Sequence, residues 1–338
     1  MTPEMAAMIY LGVDLGGTNL RLVAIDVGRG EIIIWSQTPT RAEEGPPSVI
    51  ERMASLIQKS MERLALSVYA IGIGVPGLYD PTTQTTRFLP NLPTTWRDIP
   101  LGPEIERRTG LPTVLINDAR AFTLAEALWG AGRDAHTVVG ITLGTGIGGG
   151  VVIGGRLLFG IDGTAGEVGH QIIDPHGPRC GCGSQGCLEA HASGPAIAAA
   201  GMKAVRQGRT TRIRDLVDGD LNAITPEIIV QAAEAGDTVA REILEEAGFY
   251  LGIGIANLIT LFSPDVVVIG GGVAQAGDWL LQPIRRIVRE RCRVTPIDRV
   301  RILPAALGGQ AGAVGAALWA SQQVTSPEQF SEAAPEDM

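Results

Sequence analysis

The chain has 338 residues, 45% of them hydrophobic and 19% charged, with a formal net charge of −9; this length exceeds the usual single domain, so two packed domains are expected. The acidic balance argues against a nucleic-acid or anionic-membrane surface, where clustered Lys and Arg lead binding. No signal-peptide pattern opens the chain and no run of about 18 apolar residues follows, which points to a cytoplasmic protein whose four cysteines stay reduced.

Glycine is over-used, 45 in 338, against an average near 7%, so tight turns or close approaches of backbone to ligand are expected. The first such place lies between two apolar runs within Met8 to Ile25, as Asp14-Leu-Gly-Gly-Thr-Asn-Leu-Arg21, followed by a β-rich segment from Glu31 to Gln37. The pattern reads strand, turn, strand, strand. It therefore excludes a Walker A loop and a dinucleotide fingerprint, both of which need a helix after the glycines.

A helical period of apolar residues runs from Ser48, the expected N-cap, to Leu66. A buried strand, Tyr69 to Val75, leads into a Pro- and Thr-rich loop over residues 78–103, a short helix to Gly110 and a second buried strand, Thr113 to Ile116. This alternation marks an α/β sheet. The second strand delivers Asn117 and Asp118 at its C-terminal end, where α/β sheets bind ligands; an Asn-Asp pair capping the helix from Ala119 to Trp129 is the plainer reading, and both roles can hold together.

Thr137 to Gly155 repeats the opening theme with Gly144-Thr145-Gly146-Ile-Gly-Gly-Gly150 between apolar strands, which suggests an internal duplication of one hairpin loop. Gly16, Gly17, Thr18, Asn19, Gly144, Thr145 and Gly146 are candidates to offer N–H and hydroxyl groups to phosphate oxygens. Asp14 would repel phosphate unless a cation lay between them, so it suggests Mg²⁺ reached through water.

Residues 166 to 189 then gather Glu167, His170, His176, Cys180, Cys182, Cys187 and Glu189. Three thiolates and one imidazole form a Cys₃His set suited to tetrahedral Zn²⁺ at a closed, structural site. By spacing, His176 rivals His170 as the fourth ligand. Cysteines acting as small core hydrophobes are disfavoured, because the intervening residues are Gly, Ser and Gln. Cys292, alone among arginines, is read as an ordinary structural thiol. Helices are expected over Pro195 to Gln207, Thr225 to Ala235, Asp237 to Phe262 and Leu280 to Cys292, with strands Val266 to Ile269, running into Gly271 and Gly272, and Val300 to Pro304. An Ala-rich helix ends near Gln322, and residues 324–338 read as a disordered tail.

Taken together, Asp14 to Arg21, Asn117-Asp118, Gly144 to Gly150, Gly166-Glu-Val-Gly-His170, Cys180 to Glu189 and Gly270-Gly-Gly-Val273 resemble the ROK family of sugar kinases and repressors, over about residues 8 to 322. The resemblance implies a two-domain actin-like (ribonuclease H-like) α/β fold with ATP and sugar in an interdomain cleft. The domains would be 1–118 with 307–323, and 119–306. It implies Asp118 as general base toward the 6-hydroxyl of a hexose, with D-glucose first and fructose, N-acetylglucosamine and N-acetylmannosamine as alternatives. Asn117, Glu167, His170 and Glu189 would bind the other hydroxyls, and His170 rather than His176 would join Cys180, Cys182 and Cys187 on zinc. ATP with Mg²⁺ is the implied donor, polyphosphate the alternative, and a homodimer or tetramer the implied assembly. The family's repressors carry an N-terminal helix-turn-helix; about ten residues precede the first expected strand, so a kinase is expected rather than a non-catalytic sugar-sensing regulator.

Overall fold

The computed structural model describes residues 7–64, 66–89, 92 and 96–324; the tail expected to be disordered lies, past Val324, outside them. In chain order the elements are β1 (Ile9–Leu15), β2 (Asn19–Asp26), β3 (Glu31–Pro39), α1 (Pro46–Arg63), β4 (Val68–Val75), β5 (Leu78–Asp80), β6 (Thr85–Phe88), α2 (Leu101–Thr109), β7 (Thr113–Asn117) and α3 (Asp118–Leu128). There follow β8 (Thr137–Leu143), β9 (Ile147–Ile153), β10 (Arg156–Leu157), α4 (Leu188–Ala192), α5 (Gly194–Arg206), α6 (Ile213–Leu216), α7 (Pro226–Glu234), α8 (Thr238–Phe262), β11 (Val266–Gly270), α9 (Asp278–Arg291), β12 (Arg301–Pro304) and α10 (Ala311–Gln323).

Two compact units are built from these elements. Unit 1 takes residues 1–125, 159–163 and 309–338, and unit 2 takes 126–158 and 164–308. Unit 1 holds a sheet in the order β3-β2-β1-β4-β7 and unit 2 a sheet in the order β10-β9-β8-β11-β12. In each, the first three strands run antiparallel and the last two join in parallel. The duplication legible in the two glycine hairpins thus extends to both sheets.

Unit 1 closes through close backbone contact. A Cβ on Gly12 of β1 would lie 1.9 Å from Ala313 O, one on Gly72 of β4 1.8 Å from Ala316 O, and one on Gly315 of α10 1.7 Å from Ala121 O. Only glycine permits such an approach. The Ala-rich last helix is therefore a spacer-free cover for β1 and β4, and its contact with Ala121 draws the first half of α3 into unit 1. Phe159 joins the same unit by stacking on Trp319 at 5.4 Å.

Helix α1 starts earlier than the expected cap at Ser48. Gly45, at φ 83°, is the cap and Pro46 occupies the first helical position, where its missing N–H has no partner to lose. Inside residues 78–103, expected to be loop, β5 and β6 form a short antiparallel hairpin; strands of three and four residues leave little periodic signal.

In unit 2, α8 is long and apolar enough to cross a bilayer, but it is mostly buried. Gly248 and Gly252 let α9 approach, since a Cβ on either would meet Pro283 or Ile287 within 2.6 Å. Glu126, wholly buried, accepts from the backbone N–H groups of Ala131, Ala306 and Leu307 at 2.8 to 3.0 Å. A buried carboxylate is tolerated when backbone donors surround it in this way.

Candidate functional site

In unit 1 the β1–β2 turn is held from within: Gly16 N–H donates to Asn19 O at 3.1 Å, and Thr40 Oγ1 donates to Gly16 O at 2.6 Å. Gly17 and Thr18 stay exposed at the tip, with backbone donors free for an anion. Asp14 precedes the turn and faces Arg21 across the β1–β2 register, paired with it at 3.1 Å. A Cβ on Gly312 would touch the Asp14 carboxyl at 2.9 Å, so this carboxylate lies against the first turn of α10, where the helix dipole favours negative charge. Burial nevertheless raises Asp14 above the ordinary aspartate range, with Arg21 opposing.

Strand β7 ends on Asn117, whose Oδ1 accepts from the N–H groups of Ala119 and Arg120 at 3.1 and 3.2 Å while Nδ2 donates to Gly77 O at 3.2 Å. The capping role is therefore real, and Asn117 fills it. That leaves Asp118, which accepts its neighbour Ala119 N–H at 2.8 Å and keeps a partly open surface. Burial first, and then the negative charge of Asp14, push Asp118 up to about 7. A carboxyl poised near neutrality at a strand C-terminus suits general-base work. Gly74 explains how the two acids share one field: it pairs with Asp14 in register, and a Cβ there would reach both Asp14 Oδ1 and Ala121 Cβ within 3.9 Å.

Unit 2 brings its own candidates together around the β8–β9 turn. Gly144 N–H donates to Gly146 O at 3.0 Å, and Gly144 O accepts from Gly194 N–H at 2.9 Å; Thr145 is exposed at the tip. Gly271, at φ 93°, passes so close to Leu143 O that a Cβ would stand 2.2 Å away, and Gly272 beside it is exposed. Glu189 Oε2 accepts from Ile147 N–H at 2.9 Å. Gly169 touches the same strand, with Ile147 O 2.0 Å from where its Cβ would be, which sets the Glu167 to His170 turn beside the loop.

His170, Cys180, Cys182 and Cys187 place one ligand atom each within 4.8 Å of one another. His170 Nδ1 lies 3.7 Å from Cys180 Sγ, and Cys182 Sγ lies 3.8 Å from Cys187 Sγ. A tetrahedral zinc with bonds near 2.3 Å to sulfur would space two thiolates by about 3.8 Å, so the four atoms fit such an ion and are compatible with structural zinc. His176 is exposed, its backbone N–H bound to Asp174; of the two histidines left open by spacing, His170 is the one that stands with the three cysteines. Gly183, at φ 93°, and the Arg179–Gln185 bridge fold the cysteines into a tight loop. Burial raises Cys180 to about 12 and also raises Cys187, so a cation is what would hold these sulfurs as thiolates. His170 Nε2, the nitrogen turned away from Cys180, lies 3.9 Å from Glu167 Oε2, and both side chains are about a third or more exposed.

Sequence reasoning missed the Asp14–Arg21 pair and the full burial of Arg120. One signal was available: the stretch Asp118–Leu128 is apolar on nearly every side, and a helix of that kind is buried all round, so its interior charges, Arg120 and Glu126, had to be enclosed and compensated.

Residues 10–323 match the ROK family. The glucokinase of Halalkalibacterium halodurans is 35% identical over 96% of this chain and 98% of that one. A crystal structure of a ROK family glucokinase from Streptomyces griseus, in complex with glucose and AMPPNP, superposes with a TM-score of 0.77 at 36% identity, covering 93% of this chain and 99% of that one. The xylose repressor of Caldicellulosiruptor bescii is 31% identical over 94% of this chain and 79% of the repressor.

Proposed function

The chain belongs to the ROK family and has its two-domain actin-like α/β fold, and on that premise we propose that it is a sugar kinase that transfers the γ-phosphoryl group of ATP to the 6-hydroxyl of D-glucose. The observation that carries this reading is Asp118, a carboxyl held up to about 7 by burial and by Asp14. Its proton acceptance completes the reaction: O6 bonds to the γ-phosphorus, the bond from that phosphorus to the ADP oxygen breaks, and the O6 proton passes to Asp118.

The remaining roles follow the same reading. Glu167, the Nε2 of His170 and the Oε1 of Glu189 accept or donate to the other sugar hydroxyls, where charged partners give the stronger bonds. Asn117 retains one Nδ2 hydrogen after its bond to Gly77 O. Gly16, Gly17, Thr18, Asn19, Gly144, Thr145 and Gly146 cradle phosphate, with Gly271 and Gly272 on the adenosine side. Mg²⁺ bound with ATP would neutralise phosphate charge, and Asp14 would face it through water; an acid raised by burial fits a cation there. His170, Cys180, Cys182 and Cys187 would hold zinc, whose bond to Nδ1 fixes the tautomer and aim of His170. We place the protein in the cytoplasm as a homodimer or tetramer, which its mass in solution by light scattering checks.

A coupled assay over a panel of hexoses, with ATP and with polyphosphate, tests the reading. Glucose with ATP should give the highest kcat/KM. Preference for another hexose or for polyphosphate would overturn the named substrates, and glucose binding without turnover would align the chain with the sugar-sensing relatives.

A further inference from the structure

Thr40 follows β3 directly and is completely buried, and all three of its polar groups are engaged. Its Oγ1 donates to Gly16 O at 2.6 Å and its N–H donates to Thr18 O at 2.8 Å, while its own carbonyl accepts from Arg52 Nη1 at 2.6 Å. Two of the three bonds thus hold carbonyls of the β1–β2 turn. Arg52 reaches Thr40 from α1 and is itself paired with Glu44. Between Thr40 and Glu44 the chain bends through Arg41 at φ 50°, a left-handed conformation uncommon away from glycine. Such strain persists where surrounding bonds over-determine it, and here they run from α1 through Thr40 to the turn.

The consequence for the turn is directional. In a trans peptide the N–H points opposite to the C=O, so a Gly16 carbonyl held at Thr40 sends the Gly17 N–H away from Thr40. Gly17 is exposed, and its N–H is then offered to an anion. A turn whose carbonyls swung freely would present oxygen lone pairs to phosphate for part of the time, which repels it. Donors held in place beforehand need no rearrangement on binding. The second glycine turn uses the same device with a backbone donor, since Gly144 O, on the first glycine after β8, accepts Gly194 N–H at 2.9 Å. In unit 1 the donor is a side chain, so substitution can remove it. Valine has nearly the same shape, so packing alone does not call for a hydroxyl at this position.

We propose that Thr40 is a positioning residue for the first phosphate-binding turn: braced from α1 by Arg52, it holds the carbonyls of Gly16 and Thr18 and so aims the Gly17 N–H at a nucleotide phosphate. The proposal rests on the kinase reading above for the identity of the anion, but it is decided by binding and does not depend on turnover.

Calorimetry with AMPPNP and with adenosine, which carries no phosphate, tests it beside the KM for ATP and for glucose. In Thr40→Val the Kd of AMPPNP and the KM for ATP should rise about five- to tenfold, the contribution of one hydrogen bond, while adenosine and glucose stay within about twofold. Thr40→Ser keeps the donor and should return AMPPNP to within about twofold of wild type. A role confined to stability would lower the melting temperature without separating AMPPNP from adenosine. An AMPPNP affinity unmoved in Thr40→Val overturns the proposal, as does a loss shared equally by adenosine. Arg52→Met leaves the hydroxyl in place and removes the brace on Thr40 O, and it gives the reading should Thr40→Val fail to fold: AMPPNP weakened with adenosine unmoved supports the proposal, and an unmoved AMPPNP affinity overturns it. Wild-type protein that binds AMPPNP without phosphorylating glucose would sink the kinase reading alone, because the AMPPNP affinities still decide the role of Thr40. Inorganic tripolyphosphate, titrated alongside, reads the same turn without a nucleoside, and wild-type protein that binds neither would overturn both.

Discussion

Glu189 Oε2 accepts the backbone N–H of Ile147 at 2.9 Å, so the cysteine-bearing stretch and the second glycine turn are joined by one carboxylate. A Cβ on Gly146 would stand 2.5 Å from that same oxygen, which shows how closely the turn is drawn in. The residue expected to read sugar is thereby also a brace for the loop expected to hold phosphate.

Glu189→Ala leaves the Ile147 N–H without its acceptor, a loss of about 1–3 kcal/mol for a desolvated donor. Thermal melting should register that loss, and KM should rise for ATP as well as for glucose. A variant with only the glucose KM altered would mean that the Ile147 bond does not shape the loop.

Cys182→Ser removes one of four ligands. The protein should lose most of its zinc by elemental analysis and melt at lower temperature, since the binding energy of a structural metal is folding energy. Full occupancy with full activity would dismiss the metal site.

Gly12→Ala and Gly72→Ala place a methyl against the backbone of α10, where no flexible side chain can yield. Overpacking of this kind costs about 1–3 kcal/mol and occasionally more, and chemical denaturation should show it for both. Gly30, exposed to open space, takes the same substitution as a control, although its φ of 68° adds backbone strain of about 1 kcal/mol. Equal effects at all three positions would remove the helix–strand seam as the cause.

The titration of Asp118 carries a stability consequence. Its folded value of about 7 stands above the value near 4 of an unfolded aspartate. Below pH ~4 both states are protonated and the carboxyl exacts no charge penalty. As pH rises from about 4 to about 7 the unfolded chain gives up its proton first, so stability falls across that window and stays low above it. Asp118→Asn removes this dependence. The variant should therefore be more stable than wild type at pH 8, by roughly 1–4 kcal/mol, with the gap closing toward pH 4; a gap of the opposite sign would show that Asp118 is not strained by its surroundings.

Much of this arrangement is legible in the chain itself because it is local. Apolar runs broken by Asp14-Leu-Gly-Gly and by Leu143-Gly-Thr-Gly can only be strands around a turn, and Cys180-Gly-Cys182 with Cys187 has ligand spacing with no apolar filler. The dense contacts of α8 are likewise announced by its apolar length. What escapes are features decided by residues far apart in sequence. Ser48 loses the cap to Gly45 because the incoming chain needs a positive φ there. The expected division at 118/119 compares with a break after Ala125, because Gly315 from the far end of the chain packs on Ala121.

Turnover of Asp118→Asn, set against its glucose affinity by calorimetry, bears most directly on the role of the base. Removing a general base should lower kcat by about 10²–10⁴ while the glucose Kd stays within a few-fold of wild type. A kcat within tenfold of wild type, at saturating glucose and ATP, would contradict the assignment of Asp118.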